Sequence, residues 1–201
     1  GVKKEVELDA KRKELDKLAR DPKVKAMLDT IGFTEGTGTN YGKVVDGKVI
    51  GQNKKDMPYD TKLTKGMKNV STQDMSQHPN VSVKWSSKKG VKPSSAAGKY
   101  QFLSGTWKEM KDKLGLKNFH ASTQDIAAVQ KMKDLGMVDA IMRGDLRSAV
   151  NLGAGTWASL PKADGNGNYD GQNAKPFNDI QNAYDGFLND AKAMTNVGDF
   201  N

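Results

Sequence analysis

The sequence predicts an α+β fold: a mainly helical body with a small β lobe inserted after its first core helix, and a groove between them. Three observations predict it. Apolar residues recur at steps of three and four from Pro22 to Phe33, and again in several runs from Ser104 to Met194, which is the period of a helix that buries one face. Between Gly36 and Pro93 that period is lost, and Gly, Asn, Lys and Ser surround short β-branched runs. A chain of 201 residues is long enough for one core with an appendage and short for two full domains.

Residues 3–20 read as a charged amphipathic helix whose thin apolar side is Val6, Leu8, Leu15 and Leu18. Asp21-Pro22 ends it, so residues 1–21 are expected to form an N-terminal helical arm on a domain spanning 22–201. Pro22 suits a first helical position, and Val24, Met27, Leu28 and Ile31 carry the next helix to about Phe33. Glu35 follows at its end. In the lobe, about 36–99, the runs Lys43 to Val45, Lys48 to Ile50 and Val81 to Trp85 read as strands, with Asp46-Gly47 as a hairpin turn between the first two. Residues 52–76 show no period.

Helices return after Gln101. Ser104 or Thr106 is the expected cap of a segment carrying Trp107, Met110 and Leu114, stopped by Gly115. Ser122 to Asp125 is close to a capping box for a helix with Ile126, Val129, Gln130 and Met132, ending near Gly136. Asp145 to Leu152 and Phe177 to Met194 give two more, the second with Phe177, Ile180, Ala183, Tyr184, Phe187 and Leu188 on one stripe.

Composition excludes several classes of function. Cysteine is absent and the two histidines, His78 and His120, lack metal-ligand spacing, so neither a metal nor any other cofactor is expected. No stretch approaches the roughly 20 apolar residues of a membrane span. The net charge of +8 is concentrated in residues 43–99, with 12 basic and 4 acidic side chains. Such a surface attracts polyanions in general. Its lysines are mostly single among Gly, Ser and Asn, with almost no arginine and few aromatic rings, so a specific nucleic-acid partner is not expected and a solvated loop region is the simpler reading.

Two short segments carry chemistry. In Thr34-Glu35-Gly36-Thr37 a carboxyl stands just past an apolar helix, where burial would penalise its anion and hold it protonated near neutral pH, with Ile31 and Phe33 as the expected apolar surroundings. A lone solvated glutamate is the alternative. In Gly98-Lys99-Tyr100-Gln101-Phe102 glycine permits close backbone approach, the Gln101 amide can both donate and accept, and Tyr100 offers a ring face. Core packing is the alternative for Tyr100 and the expectation for Phe102, Trp107 and Trp157.

These segments stand in order with Asn40-Tyr41-Gly42, Ser76-Gln77-His78-Pro79, Ser95-Ala96-Ala97, Leu114-Gly115-Leu116-Lys117-Asn118-Phe119, Gln124-Asp125, Arg143-Gly144-Asp145-Leu146-Arg147 and Trp157-Ala158-Ser159-Leu160-Pro161. From about Met27 to Leu188 the chain so resembles the lambda-type endolysins, soluble lytic transglycosylases of lysozyme-like fold. Residues 52–72 and the first 20 depart from that pattern. The resemblance implies that Glu35 is the catalytic acid and that Tyr100, Gln101, Tyr41 and Tyr169 contact the glycan. It implies cleavage of the MurNAc-GlcNAc β-1,4 bond of peptidoglycan with formation of a 1,6-anhydro end, by a monomer that acts on the bacterial wall in the periplasm. Delivery would be from the host cytoplasm or from the virion as part of a larger protein. A hydrolytic muramidase assisted by Asp46 or Asp74 is the runner-up. An inactive peptidoglycan-binding or structural virion module is the alternative of another class. An aspartate of the family's sequence falls at Val44 or shifts to Asp46 here, which leaves its role open.

Overall fold

The computed structural model describes residues 1–42, 48–50, 75–80, 82–87, 90–167 and 174–198. The expected strand at 43–45, the Asp46-Gly47 turn, the segment 52–72 and Tyr169 lie outside them.

Seven helices are described: α1 (Val2–Ala19), α2 (Pro22–Thr34), α3 (Ser104–Leu114), α4 (Ala121–Asp134), α5 (Met137–Met142), α6 (Leu146–Gly153) and α7 (Phe177–Gly198). Three strands, β1 (Lys48–Ile50), β2 (Ser82–Ser87) and β3 (Gly90–Ser94), pair antiparallel in that order, with Val49 opposite Val83 and Trp85 opposite Lys92. No described helix is long and apolar enough to cross a membrane.

Helix α2 is the axis of the body, packed against α7, α5, α4 and α1. Its sequence permits this because little of it is polar: Val24, Ala26, Met27, Leu28 and Ile31 are all buried, and the one central hydroxyl, Thr30, returns its proton to the Ala26 carbonyl at 2.7 Å. Full burial of such side chains stabilises by about 1.5–3 kcal/mol each. Asp21 starts the helix by accepting from the Lys23 and Val24 amides, and Pro22 occupies the turn where no donor is needed.

On α7, Ile180 and Tyr184 of the predicted stripe are buried, with Phe177, Phe187 and Leu188 packed around them. Phe102, Trp107 and Trp157 lie in the core as expected, and Phe119 joins them there.

Two predicted caps are not used. Helix α3 starts after Leu103 and α4 after His120, neither with a side-chain cap. Asn118 instead holds the chain entering the second, accepting from the His120 amide at 3.0 Å and from the Thr123 hydroxyl at 2.6 Å. Gly115 does end α3, in the left-handed conformation at φ 64°.

Leu15 and Ala19 of α1 join the core, and Arg12 reaches the C-terminus of α3, donating to Leu114 O at 2.7 Å and Gly115 O at 3.3 Å while bonded to Glu5. A cation on those terminal carbonyls satisfies acceptors that the helix leaves unpaired. Arg12→Ala is therefore expected to destabilise the fold by about 1 kcal/mol, read as a shift of the urea midpoint at constant slope.

Candidate active site

Helix α2 ends in a turn that places Glu35. Glu35 is its C-cap residue, Gly36 follows at φ 73°, the Gly36 amide donates to Phe33 O at 3.1 Å and the Thr37 amide to Gly32 O at 3.0 Å. That is a Schellman turn, which needs a residue free to take positive φ after the cap. The chain then folds back so tightly that a Cβ on Gly32 would lie 2.4 Å from Gly38 O.

The partly buried Glu35 carboxyl is pushed up to about 7, chiefly because burial penalises its charge, with the Ser159 hydroxyl and the Ser159 amide pulling the other way. Its place at a helix C-terminus, the negative end of the helix dipole, disfavours the anion further. The two apolar residues expected around it differ in burial. Ile31 is buried against the core, whereas Phe33 is 40% exposed, its ring facing the Lys175 ammonium at 5.9 Å.

Three segments meet here. The Thr37 hydroxyl donates to the Lys99 carbonyl at 2.5 Å, tying the Glu35 turn to the Gly98-Gln101 turn. The Trp157 indole donates to the Tyr100 carbonyl at 3.0 Å, and two residues on Ser159 Oγ lies 3.0 Å from Glu35 Oε1 and 2.9 Å from Thr34 Oγ1. The stretch Trp157 to Ser159 thus grips both turns, a link of 124 positions that no local sequence signal announces.

The Gly98-Gln101 turn is held in an unusual shape. Gly98 stands at φ 81° and Gln101, which is not a glycine, at φ 51°. A non-glycine residue at positive φ is uncommon and persists where its surroundings impose it. Here Ala97 and Phe102 exchange both backbone hydrogen bonds, the Gln101 side-chain amide donates to Gly98 O at 2.8 Å, and the Lys99 amide donates to the buried Gln124.

Tyr100 is the main correction to the sequence expectation. Its ring is 1% exposed and presents no face to a pyranose; its hydroxyl donates to Asp125 at 2.5 Å. Tyr41 meets it edge to face and donates to the same Asp125 oxygen at 2.9 Å, while itself remaining partly exposed. Burial pushes both phenols well up from the usual range, so they remain hydrogen-bond donors to the carboxylate. Beneath them the buried Lys99 ammonium pairs with Asp29 at 2.7 Å and lies 5.2 Å and 5.4 Å from the Tyr41 and Tyr100 ring centroids. Gln101 is partly exposed beside this platform. His78 is structural, its ring bridging Phe102 O and the Asn80 amide, and burial holds it below the usual range. A cavity of about 570 Å³ lined by His78, Trp107, Lys108 and Lys117, and one of about 480 Å³ lined by Arg147, Phe177 and Tyr184, both exclude Glu35.

The architecture is that of a lysozyme. The chain is similar to the solved structure of bacteriophage lambda lysozyme complexed with a chitohexasaccharide, with a TM-score of 0.62 and 28% identity over 83% of this chain and 94% of that one. A second structure of lysozyme from bacteriophage lambda matches with a TM-score of 0.55, 26% identity, 86% of this chain and 94% of the other. The Endolysin family profile matches residues 25–189, and the chain belongs to that family. It is 34% identical to the endolysin of Escherichia phage lambda over 69% of this chain and 77% of the relative. To the endolysin of Escherichia phage P2 it is 31% identical over 70% and 80%. Helix α1 lies outside the profile match.

Proposed function

We propose that this chain is a peptidoglycan lytic transglycosylase in which Glu35 is first the acid and then the base. Membership of the endolysin family and the lysozyme fold support the coarser statement, degradation of peptidoglycan. The observation that carries the finer one is the Glu35 carboxyl, pushed up to about 7 at a turn bonded to the Gly98-Gln101 segment. A group so poised is protonated for about half of its time at neutral pH and can both give and take a proton.

In the proposed cycle Glu35 protonates the oxygen linking MurNAc C1 to GlcNAc C4, and that C1–O bond breaks. The Glu35 carboxylate then takes the proton of the muramic acid 6-hydroxyl as its oxygen bonds to C1, closing a 1,6-anhydro ring. The proton is returned to Glu35 and no water is consumed. Hydrolysis by two carboxylates would need a second free acid. Asp29 is paired with Lys25 and Lys99, and Asp125 accepts from two tyrosines, so neither of these suits that role.

Gln101 and Tyr41 are proposed as glycan contacts on one wall and Tyr169 on the other, with the β lobe of about 36–99 closing a groove over them. Tyr100 supports Gln101 from below. The saccharide held by the lambda lysozyme neighbour favours a glycan strand as the ligand of this chain too. Residues 22–201 would form the catalytic domain and 1–21 an accessory arm, working as a monomer or within a larger virion protein, delivered to the periplasmic wall from the host cytoplasm or the virion.

Mass analysis of purified peptidoglycan digested by the chain tests the reaction type. Anhydro-muramic ends are the expected product. Reducing muramic ends alone would establish a water-using muramidase, and sedimentation with the wall without any release would establish a binding module.

A further inference from the structure

Three oxygens in a row stand beside the acid. Glu35 Oε1 lies 3.0 Å from Ser159 Oγ, which lies 2.9 Å from Thr34 Oγ1, which donates to the Ile31 carbonyl at 3.1 Å. Thr34 is buried and its only hydroxyl proton is committed to Ile31 O. It can then only accept from Ser159. Ser159 in turn has one proton and two neighbours that could receive it.

The count of protons decides the arrangement in each state. When Glu35 is a carboxylate it has no proton to offer, and a hydrogen bond to an anion is stronger than one to a neutral hydroxyl. Ser159 then donates to Glu35. When Glu35 is a carboxylic acid its own O–H can donate to Ser159 Oγ, which frees the Ser159 proton for Thr34. Every donor is then used, in the order Glu35, Ser159, Thr34, Ile31 O.

We propose that Ser159 is a positioning residue that reverses its hydrogen bond as Glu35 loses and regains its proton, with Thr34 as the acceptor that makes the protonated state complete. The inference rests on the reading of Glu35 as the acid. It adds that both halves of the acid-base cycle are served by rotation of one hydroxyl, with no movement of heavy atoms. The charged groups described around the turn are engaged elsewhere. Among the described residues, Lys99 and Asp29 are bonded to each other, Lys175 faces the Phe33 ring, and the Glu35 shift draws chiefly on burial, opposed by Ser159.

The two hydroxyls should therefore act in opposite senses. Ser159→Ala deletes the donor to the anion and should raise the Glu35 midpoint by about one pH unit. Thr34→Val deletes the acceptor used only in the protonated state and should lower it by about half a unit. Ser159→Thr, which keeps a hydroxyl, should bring the midpoint back toward that of the unsubstituted chain.

The experiment is a carbon-13 titration of the full chain labelled at glutamate carboxyl carbons, with the Glu35 signal assigned by its loss in Glu35→Gln. Opposite shifts in the two variants support the reversal; shifts of the same sign, or no shift in either, overturn it. If Thr34→Val fails to fold, Thr34→Ala removes the same acceptor and reads the same sign. No wall substrate is needed. Opposite shifts in a chain that released no anhydro ends would retain the reversal and refute the transglycosylase reading, and the converse result would do the reverse.

Discussion

Glu35→Gln lowers fragment release from purified peptidoglycan by about a thousandfold or more, the scale expected when the positioned acid of a bond cleavage is removed. Glutamine keeps the size and the hydrogen bond to Ser159 but cannot give up a proton. Sedimentation with the wall should be unchanged, because the proposed glycan contacts, Gln101 and Tyr41, are left in place. The same variant has a stability signature. The Glu35 carboxyl is raised from an ordinary 4.5 to about 7, so between those values the folded chain binds more protons than the unfolded one. Stability of the unsubstituted chain accordingly falls as pH rises through that window, and the contribution is fully present only below about 4.5. Relative to their difference at pH 4, the glutamine variant should gain about 2 kcal/mol at pH 8, somewhat less than the full shift implies because the carboxyl is partly exposed. Denaturant midpoints at the two pH values measure it.

Gly98→Ala should be among the most damaging single methyls at the described glycines. At φ 81° an added Cβ would stand 2.3 Å from Gln124 Oε1 and 2.8 Å from Phe119 Cζ. Gln124 has nowhere to retreat, since it is fully buried and its amide bonds the Lys99 N–H, the Tyr41 carbonyl and the Phe119 carbonyl. The left-handed backbone costs about 1–2 kcal/mol for a residue with a Cβ. Leaving buried partners of Gln124 unpaired costs about 1–3 kcal/mol more for each. A loss of about 3–5 kcal/mol of stability is expected from urea unfolding, with activity reduced at least tenfold in the folded fraction because Gln101 is carried by the same turn. A change below about 1 kcal/mol would show that this turn is not the rigid support described.

Much of this arrangement was legible in the chain because it is written in local patterns. The apolar spacing of Val24, Met27, Leu28 and Ile31 marks α2, and Glu35-Gly36 marks its end and the turn beyond it. Helix α5 was not legible, since six residues are too few to establish a helical period. The caps expected of Ser104 and Ser122 failed for a related reason: the helices begin earlier than the local pattern indicates, at Ser104 itself and at Ala121, so both serines stand inside the first turn instead of before it. Tyr100 reads from sequence as an aromatic ring in a glycan-contacting turn. Only the packing shows that its hydroxyl is just long enough to reach Asp125, which turns the ring inward. Ser159 carried no signal of its own in the Trp-Ala-Ser-Leu-Pro stretch, because its importance lies in a contact across 124 positions.

The carbon-13 titration of the Glu35 carboxyl in the free, unsubstituted chain tests the central claim most directly. A midpoint near 7 is predicted, from burial at the end of α2 opposed by Ser159. A midpoint near the ordinary 4.5 would mean a carboxylate already ionised at neutral pH, with no proton to give to the glycosidic oxygen.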